Sequence, residues 1–140
     1  MAKNKSVLIS VPEDGRYFNV KYAKSGMMTA MALKKAFETY SNNIKVTQSC
    51  QEKSNCISEA KKHHYDYIAY PEILQWADAA TFWSGIPDVV EIRLTILKAE
   101  RSREINSVII RGKSNFFTLG GNPQDLLPAP INNYIASLYE

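Results

Sequence analysis

The stretch Asp88–Lys113, DVVEIRLTILKAERSREINSVIIRGK, decides the fold. Its first part, Asp88–Ala99, alternates: Val90, Ile92, Leu94 and Ile96 share one face, and Glu91, Arg93 and Thr95 share the other. That period of two predicts a strand with one buried face. Glu100–Arg103 is a tight connection, and Glu104–Lys113 is predicted to return as the antiparallel partner, forming a hairpin.

Upstream, the chain reads as strands interleaved with helices. Ser6–Val11 (SVLISV) is a short apolar strand closed by Pro12, and Pro12-Glu13-Asp14-Gly15 has turn chemistry. Arg16–Lys24 is a polar and aromatic excursion over the surface. Ser25 is expected to cap a helix over about Gly26–Ser41, with Met28, Ala32, Ala36 and Tyr40 on its apolar stripe beside Leu33 and Phe37. Asn42-Asn43 ends it. Ile44–Gln48 is a second strand, and about Asn55–His64 a short helix with Ile57 and Ala60 inward. Asp66–Trp76 (DYIAYPEILQW) is a third strand, in which Pro71 demands a sheet edge or a bulge. Ala77–Pro87 and Ser114–Asn122 are loops. A last helix, about Pro130–Tyr139, presents Ile131, Tyr134, Ile135 and Leu138. The order β-α-β-α-β-β-β-α predicts an α/β (α+β) fold: a mixed sheet with helices packed on it, as a single layer pair or a sandwich. Residues 6–140 make one domain, and residues 1–5 read as a tag or tether remnant.

Composition narrows the function classes. With 17 Lys and Arg against 14 Asp and Glu, the net charge of +3 is small and evenly spread, which does not point to nucleic acid. The basic run Lys61, Lys62, His63, His64, Tyr65 reads as a solvated helix end whose cations complement the helix dipole. No apolar run approaches the ~20 residues that span a bilayer. Cys50 and Cys56, six positions apart in a polar segment, are expected to form a disulfide, which favours an oxidising compartment. Two cysteines without paired histidines do not predict a metal site, and no cofactor is expected. The turn after the first strand has a single glycine, Gly120-Gly121-Asn122 lacks a phosphate-loop context, and no serine sits in a nucleophile elbow. Met27, Met28 and Met31, at helical spacing, are expected in the core.

Several blocks carry a family resemblance: VLISVPEDGRY with YAKSGMMTAMALKKAF, YDYIAYPEILQWAD, WSGIPDVVEIRLTIL and GGNPQDLLPAPINNYIASLY. Together, from about Val7 to Tyr139, they resemble a family of small uncharacterised bacterial envelope lipoproteins. The element order also looks like the group holding the TolB amino-terminal domain and the curli-secretion lipoprotein. The resemblance implies scaffolds, channels or activators rather than enzymes, with an export signal and a lipid-bearing cysteine upstream. It implies a place on the periplasmic face of a bacterial membrane, anchored only through that lipid. The cysteine pair stands outside the blocks that carry it.

The expected function is therefore a non-enzymatic envelope domain that binds a partner protein or assembles with itself. Its contact candidates are the loop aromatics Phe82, Trp83, Phe116 and Phe117, with Arg16 and Tyr17 beside them, since aromatic residues on loops are favoured interface anchors. Two alternatives stay open. One is a cell-wall or saccharide hydrolase or binding protein using Glu72, Asp78 or Asp88, which would need two carboxyl groups ~5–10 Å apart across a cleft. The other is a cytosolic nucleic-acid or regulatory module.

Overall fold

A computed structural model describes residues 1–78, 88–114 and 122–140. Among the described residues seven strands and three helices follow one another: β1 (Val7–Ser10), β2 (Arg16–Tyr17), β3 (Val20–Lys21), α1 (Ser25–Phe37), β4 (Ile44–Thr47), α2 (Lys53–Lys62), β5 (Tyr67–Ala77), β6 (Val89–Lys98), β7 (Arg103–Lys113) and α3 (Pro128–Leu138). A 3-10 turn, Pro123–Leu126, leads into α3. The expected order holds, with one addition: the surface excursion folds into the small hairpin β2–β3.

The main sheet has the order β4-β1-β5-β6-β7. β1 pairs in parallel with both β4 and β5, whereas β5–β6 and β6–β7 are antiparallel. β1 lies between two strands and under helices on both faces, so all four of its residues are buried, as a central parallel strand requires. Its alternation sorts the core. Val7 and Ile9 join the larger apolar cluster with Leu33 and Phe37 of α1 and Ile131 and Ile135 of α3. Leu8 faces the opposite way, into a smaller cluster with Cys50, Cys56, Ala60, Ile68 and Leu97. Helices thus cover both faces, α1 and α3 on one and α2 on the other, the sandwich option of the expected architecture.

Pro71 sits where β5 outlives its neighbour. β1 pairs only with Tyr67, Ile68 and Ala69, while Pro71 pairs with Leu94 of β6. Its missing N–H falls on the side that β1 has already left, which reconciles a proline with a central strand. The register of β5 then shifts between Ile73 and Gln75, a bulge at Leu74.

The start of α1 differs from the sequence reading. Lys24, not Ser25, precedes the helix, in a left-handed conformation with φ 68°, and no side chain caps from that position. The cap comes from the upstream turn: Asp14 accepts hydrogen bonds from the backbone N–H of Gly26 (2.8 Å) and of Lys24 (3.1 Å). The Ser25 hydroxyl instead accepts from the N–H of Gly15 at 2.7 Å. The helix ends at Phe37, short of Ser41. Its buried stripe is Gly26, Thr29, Ala30, Leu33, Ala36 and Phe37, so Met28 and Met31 are exposed rather than core. The stripe is rotated because contact with α3 and the sheet, not hydrophobicity alone, selects the face. In α2 the buried pair is Cys56 and Ala60, with Ile57 only half-buried.

Residues 1–5 contact the domain. The Met1 amino group donates to the Leu138 carbonyl, and the Asn4 N–H donates to the Tyr40 carbonyl at 2.9 Å.

Candidate functional site

Cys50 and Cys56 form the expected disulfide, with Cα atoms 5.2 Å apart and both residues buried. The bond ties the loop after β4 to the first turns of α2, a helix that buries little else. Ser10 reinforces the tie by donating its hydroxyl to the Cys50 carbonyl at 3.0 Å.

The hairpin β2–β3 follows β1 in the chain, and β2 packs against β5. Arg16 pairs with Lys21 and Tyr17 with Val20, leaving Phe18 and Asn19 as the turn. Phe18 adopts φ 54°, a left-handed conformation that costs a bulky residue about 1 kcal/mol. It is 85% exposed, and Val20 is 53% exposed. The Tyr17 ring meets that of Phe18 edge-on at 4.5 Å. Of the sequence candidates, Arg16 and Tyr17 lie here. Phe18 and Val20 were missed, since one apolar residue in a loop reads the same whether it is tucked in or not.

Phe82, Trp83, Phe116 and Phe117 lie outside the described residues. The residues that flank their two segments meet: the Asp88 N–H donates to the Ser114 hydroxyl at 2.7 Å, and the Ser114 N–H donates to the Asp88 carbonyl at 2.9 Å.

Between the hairpin and β5 runs a groove of 340 Å³, lined by Pro12, Glu13, Arg16, Tyr70, Glu72 and Leu74 among others. Tyr70 donates its hydroxyl to the Gln51 carbonyl at 2.9 Å. Burial raises its pKa, with Glu72, Glu52 and Glu13 adding in that order.

The three carboxylates weighed for hydrolysis are divided. Glu72 is on the groove side of β5 and lies 3.9 Å from Arg93 across the sheet. Asp78 follows the end of β5, six residues on, which is about 20 Å of extended chain. That exceeds the separation of a glycosidase pair. Asp78 and Asp88 do feel each other: the Asp78 pKa is raised, first by burial and then by the Asp88 charge. Asp88 itself is buried at the strand junction, and neither aspartate lines the 340 Å³ groove. The basic run of α2 is exposed at the opposite end of the sheet, where Lys61, His64 and Lys98 border a shallow hollow with Asp66 and Glu100.

A different surface stands out on the outer face of β5–β7. α1 and α3 cover the inner face, and α2 packs over β1 and β5. Among the described residues no helix packs on the outer side of β7; on β6, Leu97 joins the α2 cluster and Thr95 is buried, which leaves Glu91 and Arg93 as the more open positions. Leu74, Ile105 and Ile109 are exposed there, Ile109 by 54%. Glu72–Arg93 (3.9 Å) and Glu91–Arg111 (3.8 Å) cross the same surface as ion pairs.

A family model described as Domain of unknown function (DUF4823) matches residues 1–138. The chain belongs to that family. The DUF4823 domain has no match among curated proteins. Solved structures do share its fold. A PelC dodecamer from Paraburkholderia phytofirmans superposes with a TM-score of 0.75 at 8% identity, over 99% of this chain and 89% of that one. The lipoprotein GNA1162 from Neisseria meningitidis gives 0.60 at 11% identity, over 95% and 99%. The LpoB C-terminal domain from Salmonella enterica gives 0.50 at 12% identity, over 81% and 85%. At these identities the likeness is one of fold. The resemblance to uncharacterised envelope lipoproteins read from the sequence blocks is borne out. No described helix of the DUF4823 domain is long and apolar enough to cross a membrane.

Proposed function

We propose that this chain is a non-enzymatic domain of the bacterial envelope that assembles with protein, in the first instance with further copies of itself, through the outer face of β5–β7. The observation that carries this reading is the uncovered sheet face bearing Leu74, Ile105 and Ile109. Three exposed apolar side chains interleaved with Arg93 and Ser107 on one sheet side give a surface of mixed character, as at non-obligate interfaces. The face is balanced in charge, with Glu72 and Glu91 against Arg93 and Arg111, so a second copy rotated onto it finds opposite charges. The fold shared with a PelC dodecamer and with a lipoprotein supports assembly and an envelope setting. The Cys50–Cys56 disulfide fits an oxidising compartment.

The loop aromatics extend the reading. Asp88 and Ser114, which adjoin residues 79–87 and 115–121 in the chain, hydrogen-bond to each other, and this supports Phe82, Trp83, Phe116 and Phe117 as candidates. They are proposed to add contact.

The experiment is light scattering across a concentration series, on the parent chain and on an Ile105→Lys, Ile109→Lys double variant. A parent that associates and a folded variant that stays monomeric support the face. A parent that is monomeric throughout, or a variant with unchanged oligomer size, sinks it. Trp83→Ala, folded and unaltered in oligomer size, would remove the loop extension alone.

A further inference from the structure

We infer that the hairpin β2–β3 is a foot that rests on an anionic lipid surface, its tip entering the interface. Phe18 at the tip is 85% exposed and Val20 beside it 53%, and neither belongs to a core cluster. The left-handed turn holds a phenylalanine where glycine or asparagine would rest without strain. The ring joins neither core cluster, and its ring contact is with Tyr17 beside it.

The surroundings name the chemistry of the surface. Residues 16–24, RYFNVKYAK, carry Arg16, Lys21 and Lys24 and no carboxylate. Asp14, the nearest acid at the base, has both oxygens engaged by the N–H groups of Lys24 and Gly26. Glu13 borders the hollow at the hairpin base together with Arg16 and Lys21. Tyr17, half-buried, adjoins Phe18 at the tip, as amphipathic rings do at a headgroup boundary, whereas Tyr22 packs against the core at the hairpin base. An apolar tip with three cations and no carboxylate in the same nine residues complements an anionic bilayer. A protein pocket for Phe18 alone would gain little from those cations. Near an anionic membrane each Lys or Arg strengthens binding about fivefold, and the effect fades within a Debye length.

Cosedimentation of the full chain with vesicles tests this, comparing phosphatidylcholine alone with phosphatidylcholine containing phosphatidylglycerol. The chain is expected to pellet with the anionic vesicles only, and to be released by high salt. Phe18→Asn, which keeps a residue suited to the left-handed turn, is expected to weaken binding about tenfold. An Arg16→Gln, Lys21→Gln pair is expected to weaken it about twentyfold or more. Val20→Ser provides a second apolar deletion should Phe18→Asn disturb the fold. Equal sedimentation with both vesicle types, or a folded Phe18→Asn or Val20→Ser that binds like the parent, overturns the assignment. So does an equal loss in Lys61→Gln, Lys62→Gln, because that would report total charge rather than the hairpin. Arg16 borders the groove that Glu72 and Leu74 also line, so oligomer size is compared on Phe18→Asn and Val20→Ser, which lie off that groove and keep the test of the proposed function separate.

Discussion

Gly26 shows how one missing side chain joins two elements. A Cβ there would lie 2.1 Å from the Pro12 carbonyl oxygen, far inside contact distance, because the Pro12–Gly15 turn lies directly on the start of α1. Helix propensity favours alanine over glycine by about 1 kcal/mol, yet the overlap is with backbone and cannot rotate away. Gly26→Ala is therefore expected to destabilise the fold by about 2 kcal/mol or more, read as a lower urea midpoint at unchanged slope. A higher midpoint would show that the turn can move aside. The same junction explains what the sequence could not reveal. Asp14 caps a helix that begins eleven residues later, a relation that only the folded turn creates. The Cys50–Cys56 pairing was legible because six residues of separation keep it local. The outward placement of Met28 and Met31 was not, since their hydrophobicity argued for the core and packing against α3 decided otherwise.

At the scale of elements, α2 depends on its bond. It buries only Cys56 and Ala60, and the disulfide holds its first turns against Leu8 and Ile68 of the sheet. Closing so short a loop stabilises by roughly 2 kcal/mol through the unfolded chain. The double variant Cys50→Ser, Cys56→Ser is expected to lose about that much, and amide exchange should rise first in residues 50–62. Uniform exchange across the sheet and α2 would contradict this. Strand assignment succeeded where alternation was strong: β5, β6 and β7 match their expected spans to within a few residues. The hairpin β2–β3 was not legible, because two-residue strands leave no period to read. The uncovered face of β6 and β7 was equally hidden. Glu91, Arg93 and Thr95 read as a solvated side, yet Thr95 is buried beside Ser107, and only the placement of α2 shows which exposed apolar groups the other two accompany.

The molecule as a whole is closed by the contact of α1, α3 and the chain ends. Tyr139 stacks on Tyr40 with ring centroids 4.2 Å apart and meets Phe37 edge-on at 6.4 Å. Its buried hydroxyl has no hydrogen-bond partner among the described residues. Burial first, then Tyr67 and Tyr40, push its pKa from 10.0 up to about 12. Above pH 10 the unfolded chain releases this proton while the folded one keeps it, so stability falls with pH up to about pH 12. Below pH 10 this ionisation has no effect on stability. Tyr139→Phe is expected to raise stability at neutral pH by about 1 kcal/mol, because an unsatisfied hydroxyl is removed. It should also soften alkaline unfolding, leaving the smaller contributions of Tyr134 and Tyr70, whose pKa values burial also raises. Unchanged alkaline unfolding of the variant would place the sensitive group elsewhere. Pro71 has a further consequence for the sheet as a whole. Along the border where β5 has outrun β1, the ring nitrogen offers no hydrogen to a newcomer. A foreign strand laid there would lack a rung in the middle of its run, so this border is a poor template for fibrous aggregation even when the chain is crowded with its own copies.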